Sequence, residues 1–271
     1  MDLRPFLEED VGAGDVTTDA FVPDIRGRAR ITCEEDAVVA GLEEAAGIFA
    51  LLGVSSSMLA ADGDRVAAGA AVMALDGPLR GILTGERTAL NFLMRMSGVA
   101  TCTGRAVGLV RGADPPLMIA ATRKTTPGFR FFEKKAVALG GGWPHRSGLH
   151  DMAMAKDNHI LACGGLDAVL RRLPGVPGGV KVEVEVSSVE DGVRAAGAGA
   201  DIVMADHMPP SETKELMEKA KAVNKDVLIE ASGNITEENV ADYAGCADIV
   251  SIGALTHSPR AVHFSLDVER P

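Results

Sequence analysis

An α+β unit followed by a βα barrel is the fold that this 271-residue sequence predicts. Three observations carry the expectation. The first hundred residues mix strand-like and helix-like runs without regular alternation, as α+β units do. From "GADPP" (112–116) onward, short apolar runs alternate with helical segments, the pattern of parallel strands buried on both faces. No G-x-G-x-x-G follows the first of these runs, so an open dinucleotide-binding sheet loses ground to a barrel.

Taken in order, "RGRARITCEEDAVVAG" is β-branched and strand-like, and "LEEAAGIFALLGV" has helical spacing that ends at Gly53. "ADGDRVAAGAAVMALDGPLRGIL" reads as short strands divided by Gly-Asp and Asp-Gly turns. A long helix is expected from about Glu86, with Leu90, Leu93, Met94 and Met96 toward the core. Six strands follow: "PLMIAA", "DMAMA", "VKVEVEV", "ADIVMA", "DVLIEA" and "ADIVSIG". Between them, "PPSETKELMEKAKAVN" and "TEENVADYAG" are expected as amphipathic helices starting near Ser211 and Thr236. The units are predicted as 1–105 and 106–258.

Composition narrows the function. No apolar run approaches the roughly 18 residues that span a bilayer, so no membrane partner is expected. The opening "MDLRPFLEEDVG" lacks a signal-peptide core, and the four scattered cysteines form no C-x-x-C pair. A reducing, cytoplasmic setting is expected. A formal charge of −11, with one Trp and one Tyr, argues against nucleic acid, which demands a broad basic face.

Against that acidic balance one window stands out. From Arg123 to Lys156 lie seven cations (Arg123, Lys124, Arg130, Lys134, Lys135, Arg146, Lys156), against the acids Glu133 and Asp151. His145 and His150 fall in the same stretch. Polar residues also close strand after strand: Thr122, Arg123 and Lys124, then Lys156, Glu185, Asp206, Ser232-Gly233-Asn234, and Gly253-Ala254. In a βα barrel that end of the strands is where active sites are built. Any one of these residues alone is as readily an ordinary solvated loop residue; convergence from distant positions makes them one site.

Residue chemistry suggests what the site holds. Glu183 and Glu185 alternate on one strand and share a face, where an unpaired carboxylate is costly. A structural salt bridge is the expectation for Glu183, and a site role for Glu185, nearer the strand end. Glu185 with Asp206 suits Mg²⁺, which takes one or two carboxylates and keeps positions for phosphate. The glycine loops at Ser232–Asn234 and Gly253–Ala254 suit an anion bound by backbone N–H groups. Arginine forks match carboxylates and lysines suit phosphates, so a substrate bearing both groups is expected. Without its neighbours, His145 would be an ordinary hydrogen-bonded loop histidine. Lys134 and Lys135 are expected on a solvated helix face.

The motifs "GERTALNFLMRMSGVAT", "ATRKTTPGFRFFEKKAV", "GGGWPHRSGLHDMAMAKDNHI", "VEVEV", "IEASGNIT" and "VSIGALTHS" resemble, in order, those of the quinolinate phosphoribosyltransferase family. The resemblance runs from about Leu7 to Ser258. It implies an amino-terminal α/β sandwich, to which residues 259–271 return, and an incomplete βα barrel of seven strands, one more than the sequence displays. It implies transfer of ribose 5-phosphate from phosphoribosyl pyrophosphate to quinolinate, with loss of CO₂ and pyrophosphate and formation of nicotinate mononucleotide for NAD biosynthesis.

By motif, Arg123, His145, Arg146 and Lys156 would grip the carboxylates, with Thr122 also binding substrate. Lys124 and Lys156 would face the donor, Glu185 and Asp206 would hold Mg²⁺ or ribose hydroxyls, and these four would be the catalytic set. Ser232, Gly233, Asn234, Gly253 and Ala254 would take the 5-phosphate. Arg87 would reach a neighbouring subunit's site, which implies a homo-oligomer, a dimer at the least. Pro144 and His207 depart from the family, which usually carries Asn at both places.

Three other readings are weaker. A molybdate-operon paralogue tends to lack the intact "TRKTT" and "KDNH" elements present here. A biotinyl- or lipoyl-like carrier, suggested by "GDRVAAGAAVMALDG", needs a lysine at a hairpin turn, and none precedes Lys124. An idle binding scaffold does not explain the charged strand ends.

Overall fold

The computed structural model describes residues 1–269, so the last two residues of the predicted return lie outside it. The chain divides into two compact units. One comprises residues 1–102, 135–140 and the chain from Pro259 onward; the other comprises 103–134 and 141–258.

The first unit contains helices α1 (Arg4–Val11), α2 (Val16–Phe21) and α3 (Leu42–Leu51) and an antiparallel sheet. Sheet order is β12 (Phe264–Glu269), β1 (Arg26–Cys33), β5 (Ala70–Pro78), β3 (Ser55–Met58); a separate pair joins β2 (Ala37–Val38) and β4 (Arg65–Val66). Alternation on β1 explains its burial: Ala29, Ile31 and Cys33 are buried, while Arg28 and Arg30 face out to Asp76 and Glu269.

Two expectations fail here. Asp76-Gly77 is not a turn but lies within β5, because Gly77 passes the Val54 backbone where a Cβ would stand 2.8 Å from Val54 Cα. The long helix α4 begins at Leu79, not near Glu86, and runs to Leu109 across the unit boundary.

The second unit is the barrel. Its parallel sheet has the order β6 (Met118–Ala120), β11 (Ile249–Ser251), β10 (Leu228–Ser232), β9 (Ile202–Asp206), β8 (Lys181–Val186), β7 (Met152–Ala155). All six strands read from the sequence are there. The seventh position is a single residue: Trp143 bridges Ala120 in parallel, donating to Ile119 O at 2.7 Å and accepting from Ala121 N at 2.9 Å. Helices α5 (Arg130–Leu139), α6 (Asp157–Cys163), α7 (Leu166–Leu170), α8 (Val189–Gly197), α9 (Pro210–Val223) and α10 (Ala254–His257) intervene or follow.

Strand alternation sorts the side chains. Val182, Val184 and Val186 point outward and pack with Val203, Ala205 and Ile229 against Ala195 and Ala196 of α8 and Leu216 and Ala220 of α9. Each buried valine or leucine contributes about 1.5–3 kcal/mol. Inside the barrel, Met152, Ile202, Leu228 and Ile249 form an apolar plug with Ala120 and Trp143. The alternate residues nearer the strands' carboxyl ends carry the charges.

The helix expected from "TEENVADYAG" shrinks to a 3₁₀ turn at Val240–Tyr243. Asn239 is the reason: its side chain accepts from Thr236 N and donates to Asn234 O, and this competes with the helical ladder.

Candidate active site

A cavity of about 410 Å³ opens at the carboxyl ends of the parallel strands. Every strand contributes to its wall: Thr122, Arg123 and Lys124 after β6, Met154 and Lys156 at β7, Glu185 on β8, Met204 and Asp206 on β9, Glu230 and Ser232 on β10, and Ser251 on β11. Ala121, His145, Arg146, His207, Gly233 and Asn234 complete it. Three residues singled out in the sequence do not line it. Gly253 and Ala254 stand back from the wall, although Lys124 Cδ lies 3.1 Å from where a Cβ of residue 253 would be. Arg87 is exposed on α4.

The cations fall into two groups. Lys156 pairs with Glu185, an arrangement that holds both side chains across β7 and β8. Arg123 and Arg146 have no such partner: among the described residues no carboxylate lies within ion-pair distance of either. Arg146 is buried, with only Met154 Sδ at 3.1 Å and Met152 O at 3.5 Å near its guanidinium nitrogens. Burial, with the like charge of Arg123 beside it, lowers its pKa. Arg123 Nε is buried and meets no acceptor. An uncompensated buried cation costs several kcal/mol, so buried Arg146, with half-buried Arg123 beside it and also without a carboxylate, marks a place prepared for an anion.

The loop that carries Arg123 is fixed from below. Buried Glu133 accepts from Thr126 N at 3.0 Å and Thr126 Oγ1 at 2.9 Å, and Arg130 Nε donates to Thr125 Oγ1 at 2.9 Å. Lys124 N donates to Thr122 Oγ1 at 3.0 Å, turning the chain tightly there.

The solvated reading of the two helix lysines is corrected. Lys135 Nζ reaches Glu43 Oε2 at 2.7 Å and Glu44 Oε1 at 2.8 Å, and Lys134 is buried with Nζ bonded to Pro144 O. Burial first, then Arg130, pushes the Lys134 pKa down from 10.5 to about 8. Between these values the unfolded chain holds the extra proton, so this group adds native stability as pH rises through that window. The melting-temperature difference, wild type minus Lys134→Met, should therefore grow from pH 8 to 10.5; a difference flat across that range would contradict the assignment.

His145 sits lower, at the boundary of cavity and interior. Its Nε2 lies 3.0 Å from Glu230 Oε2 and 3.4 Å from Glu183 Oε2, and its Nδ1 faces Arg146 N at 2.8 Å. Both ring nitrogens are thus engaged within the protein. Burial opposes charge on this ring, while the negative carboxylates of Glu183 and Glu230 favour it and raise its pKa. The Arg146 N–H works against a second proton, because it needs Nδ1 bare. In either protonation state Nε2 carries a proton aimed at the carboxylates. Burial and the adjacent Glu230 raise the Glu183 carboxyl.

Of the salt bridge expected for Glu183 the structure shows only a 3.4 Å approach to His145 Nε2, with neither carboxylate oxygen hydrogen-bonded among the described residues. Glu230 was not anticipated, although it gives the same signal: a lone acid on an inward position of an apolar strand.

Backbone strain collects at the same place. Among the described residues, His145, His207 and Asn234 are the non-glycine residues with positive φ (58°, 57° and 53°), and all three line the cavity. His207 N donates to Ser232 O at 2.8 Å, and its ring lies over Gly233, where a Cβ would stand 2.6 Å from the ring.

Comparison with known proteins matches the chain to two family models. Residues 15–97 match the quinolinate phosphoribosyl transferase N-terminal domain and residues 99–267 the C-terminal domain. A probable nicotinate-nucleotide pyrophosphorylase [carboxylating] of Methanothermobacter thermautotrophicus is 41% identical, over 98% of this chain and 97% of the relative. The human nicotinate-nucleotide pyrophosphorylase [carboxylating] is 39% identical, over 88% and 81%. The solved nicotinate-nucleotide pyrophosphorylase of Francisella tularensis superposes with a TM-score of 0.92 at 34% identity, covering 98% of this chain and 94% of that one.

Proposed function

The chain belongs to the quinolinate phosphoribosyl transferase family, and from that membership we propose the reaction and the roles its residues take in it. The enzyme transfers ribose 5-phosphate from phosphoribosyl pyrophosphate to the ring nitrogen of quinolinate, releasing pyrophosphate and CO₂ and giving nicotinate mononucleotide for NAD biosynthesis. The observation that carries this reading is the pair of guanidinium groups, Arg123 and Arg146, left without carboxylates in the wall of a cavity that also holds Lys156, Glu185 and Asp206.

Arg123 and Arg146 grip the pyridine dicarboxylate, with Thr122 and Lys156 beside them; His145, expected to share that grip, has both ring nitrogens engaged within the protein and acts through Arg146 instead. Lys124 and Lys156 face the donor's phosphates. As the bond from ribose to pyrophosphate breaks, positive charge grows on the sugar ring, and Glu185 and Asp206 stabilise it. The quinolinate nitrogen takes the vacated carbon and becomes a pyridinium. The electrons left when CO₂ departs then enter that cationic ring, so this step needs only correct placement.

Glu185 and partly exposed Asp206 line the same cavity, and two carboxylates with open space for phosphate oxygens are a donor set that suits Mg²⁺. Mg²⁺ bound by these two carboxylates and the donor would neutralise charge on the departing pyrophosphate. Ser232, Gly233 and Asn234 receive the 5-phosphate, with Gly253 and Ala254 behind them. Arg87, exposed on its helix, reaches the site of a partner subunit, which makes a homo-oligomer the working form. No helix among the described residues is long and apolar enough to cross a membrane, and we place the enzyme in the cytoplasm.

Purified protein given quinolinate, phosphoribosyl pyrophosphate and Mg²⁺ should form nicotinate mononucleotide in step with quinolinate loss. Turnover of nicotinate but not quinolinate would reject the carboxylating reaction. The donor end has its own check. Gly233→Ala adds a Cβ against the His207 ring at a φ of 97°, so the KM for phosphoribosyl pyrophosphate should rise about tenfold or more, with quinolinate binding changed little. An unchanged donor KM would move the phosphate site elsewhere.

A further inference from the structure

Glu183 and Glu230 are fully buried on β8 and β10, Glu230 where the cavity wall meets the interior, and no step of the reaction above uses them. Two carboxylates within reach of one imidazole invite comparison with a metal site, since all three groups offer ligand atoms within 4.8 Å of one another. The imidazole argues against it. A histidine that ligates through Nε2 normally donates a proton from Nδ1, and here the Arg146 N–H points into Nδ1 at 2.8 Å. The Nε2 proton is therefore spent on the carboxylates.

The consequence lies one residue along the chain. His145 is held in a left-handed conformation, φ 58°, and immediately precedes Arg146. The ring spans from the carboxylates at Nε2 to the Arg146 backbone at Nδ1, a strut that joins β8 and β10 to the residue bearing the guanidinium. The carboxylates also supply negative charge that favours the cation of Arg146 without pairing with it. Its donors stay available.

We propose that Glu230 is a positioning residue that anchors His145 through Nε2, with Glu183 adding negative charge 3.4 Å from the same nitrogen, and thereby sets the Arg146 guanidinium for the substrate carboxylates. The proposal rests on the reaction assigned above for its substrate, but the anchor itself can be measured without it.

Glu230→Leu in the full-length enzyme should raise the KM for quinolinate about tenfold or more, while kcat and the donor KM stay within about twofold. Glu230→Gln, which keeps an oxygen to accept from Nε2, should recover most of the affinity. Independently, ¹⁵N spectra of histidine-labelled wild-type enzyme, with His145 assigned by His145→Gln, should show a protonated Nε2.

A folded Glu230→Leu enzyme with unchanged quinolinate KM would overturn the proposal. So would loss of kcat and donor affinity in parallel with quinolinate affinity, or a bare Nε2 on His145. If Glu230→Leu does not fold, the ¹⁵N measurement decides. Wild-type enzyme inactive toward quinolinate would sink the reaction, and the ¹⁵N result would then judge the anchor alone.

Discussion

Arg146→Met should abolish measurable quinolinate turnover while leaving the melting temperature unchanged or higher. The two effects have one cause. The guanidinium is buried with no carboxylate in reach, so the substrate-free protein bears the cost of a cation prepared for an absent anion. Methionine fills a similar space without charge. Removing a bidentate, charge-assisted contact to a carboxylate forfeits about 3–6 kcal/mol, or roughly 10²–10⁴ in kcat/KM. Relief of the unpaired charge should add about 1 kcal/mol of stability, worth about 2–4 °C in a chain of this size. Calorimetric quinolinate binding and thermal melts of the same preparation check both. An active variant, or one that melts several degrees lower, would show that Arg146 is a structural cation.

The second large effect concerns the pair on the opposite chemistry. Glu185→Gln should lower kcat about a hundredfold and also raise the donor KM, with little change in the quinolinate KM, because the carboxylate acts on charge that grows in the transition state and would help hold the donor's Mg²⁺. Lys156→Met should cost a comparable factor in kcat/KM, with the donor KM raised because Lys156 faces the donor's phosphates. The two groups are paired in the cavity, so removing either leaves the other uncompensated. The double variant should then be scarcely worse than the poorer single one, a coupling of about 1–3 kcal/mol. Losses that simply multiply would mean that Glu185 and Lys156 act independently.

How much of this was readable in the chain differs by element. The six barrel strands were legible because a strand buried on both faces must be apolar throughout, and each ends at a polar residue. "VEVEV" was more informative still, since alternation placed Glu183 and Glu185 on one face before their partners were known. The same alternation was available in "DVLIEA", yet one acid in an apolar run gives no hint of which distant histidine it meets. Lys134 and Lys135 are adjacent cations on an amphipathic helix, and nothing local distinguishes the one buried under Pro144 from the one paired with Glu43 and Glu44. The start of α4 was misjudged because Gly77 is dictated by the approach of Val54, a contact between residues far apart in the chain.

By itself the sequence determined the types of chemistry present and their order: basic, acidic and glycine elements at the ends of successive strands, in the pattern of one enzyme family. Only the tertiary structure decided which charges are paired and which are left waiting. Lys156 found Glu185 and His145 found Glu183 and Glu230, while Arg123 and Arg146 found no acid. The physical reason is that the cost of a charge depends on burial and on partners a few ångströms away, and both are set by how distant strands come together.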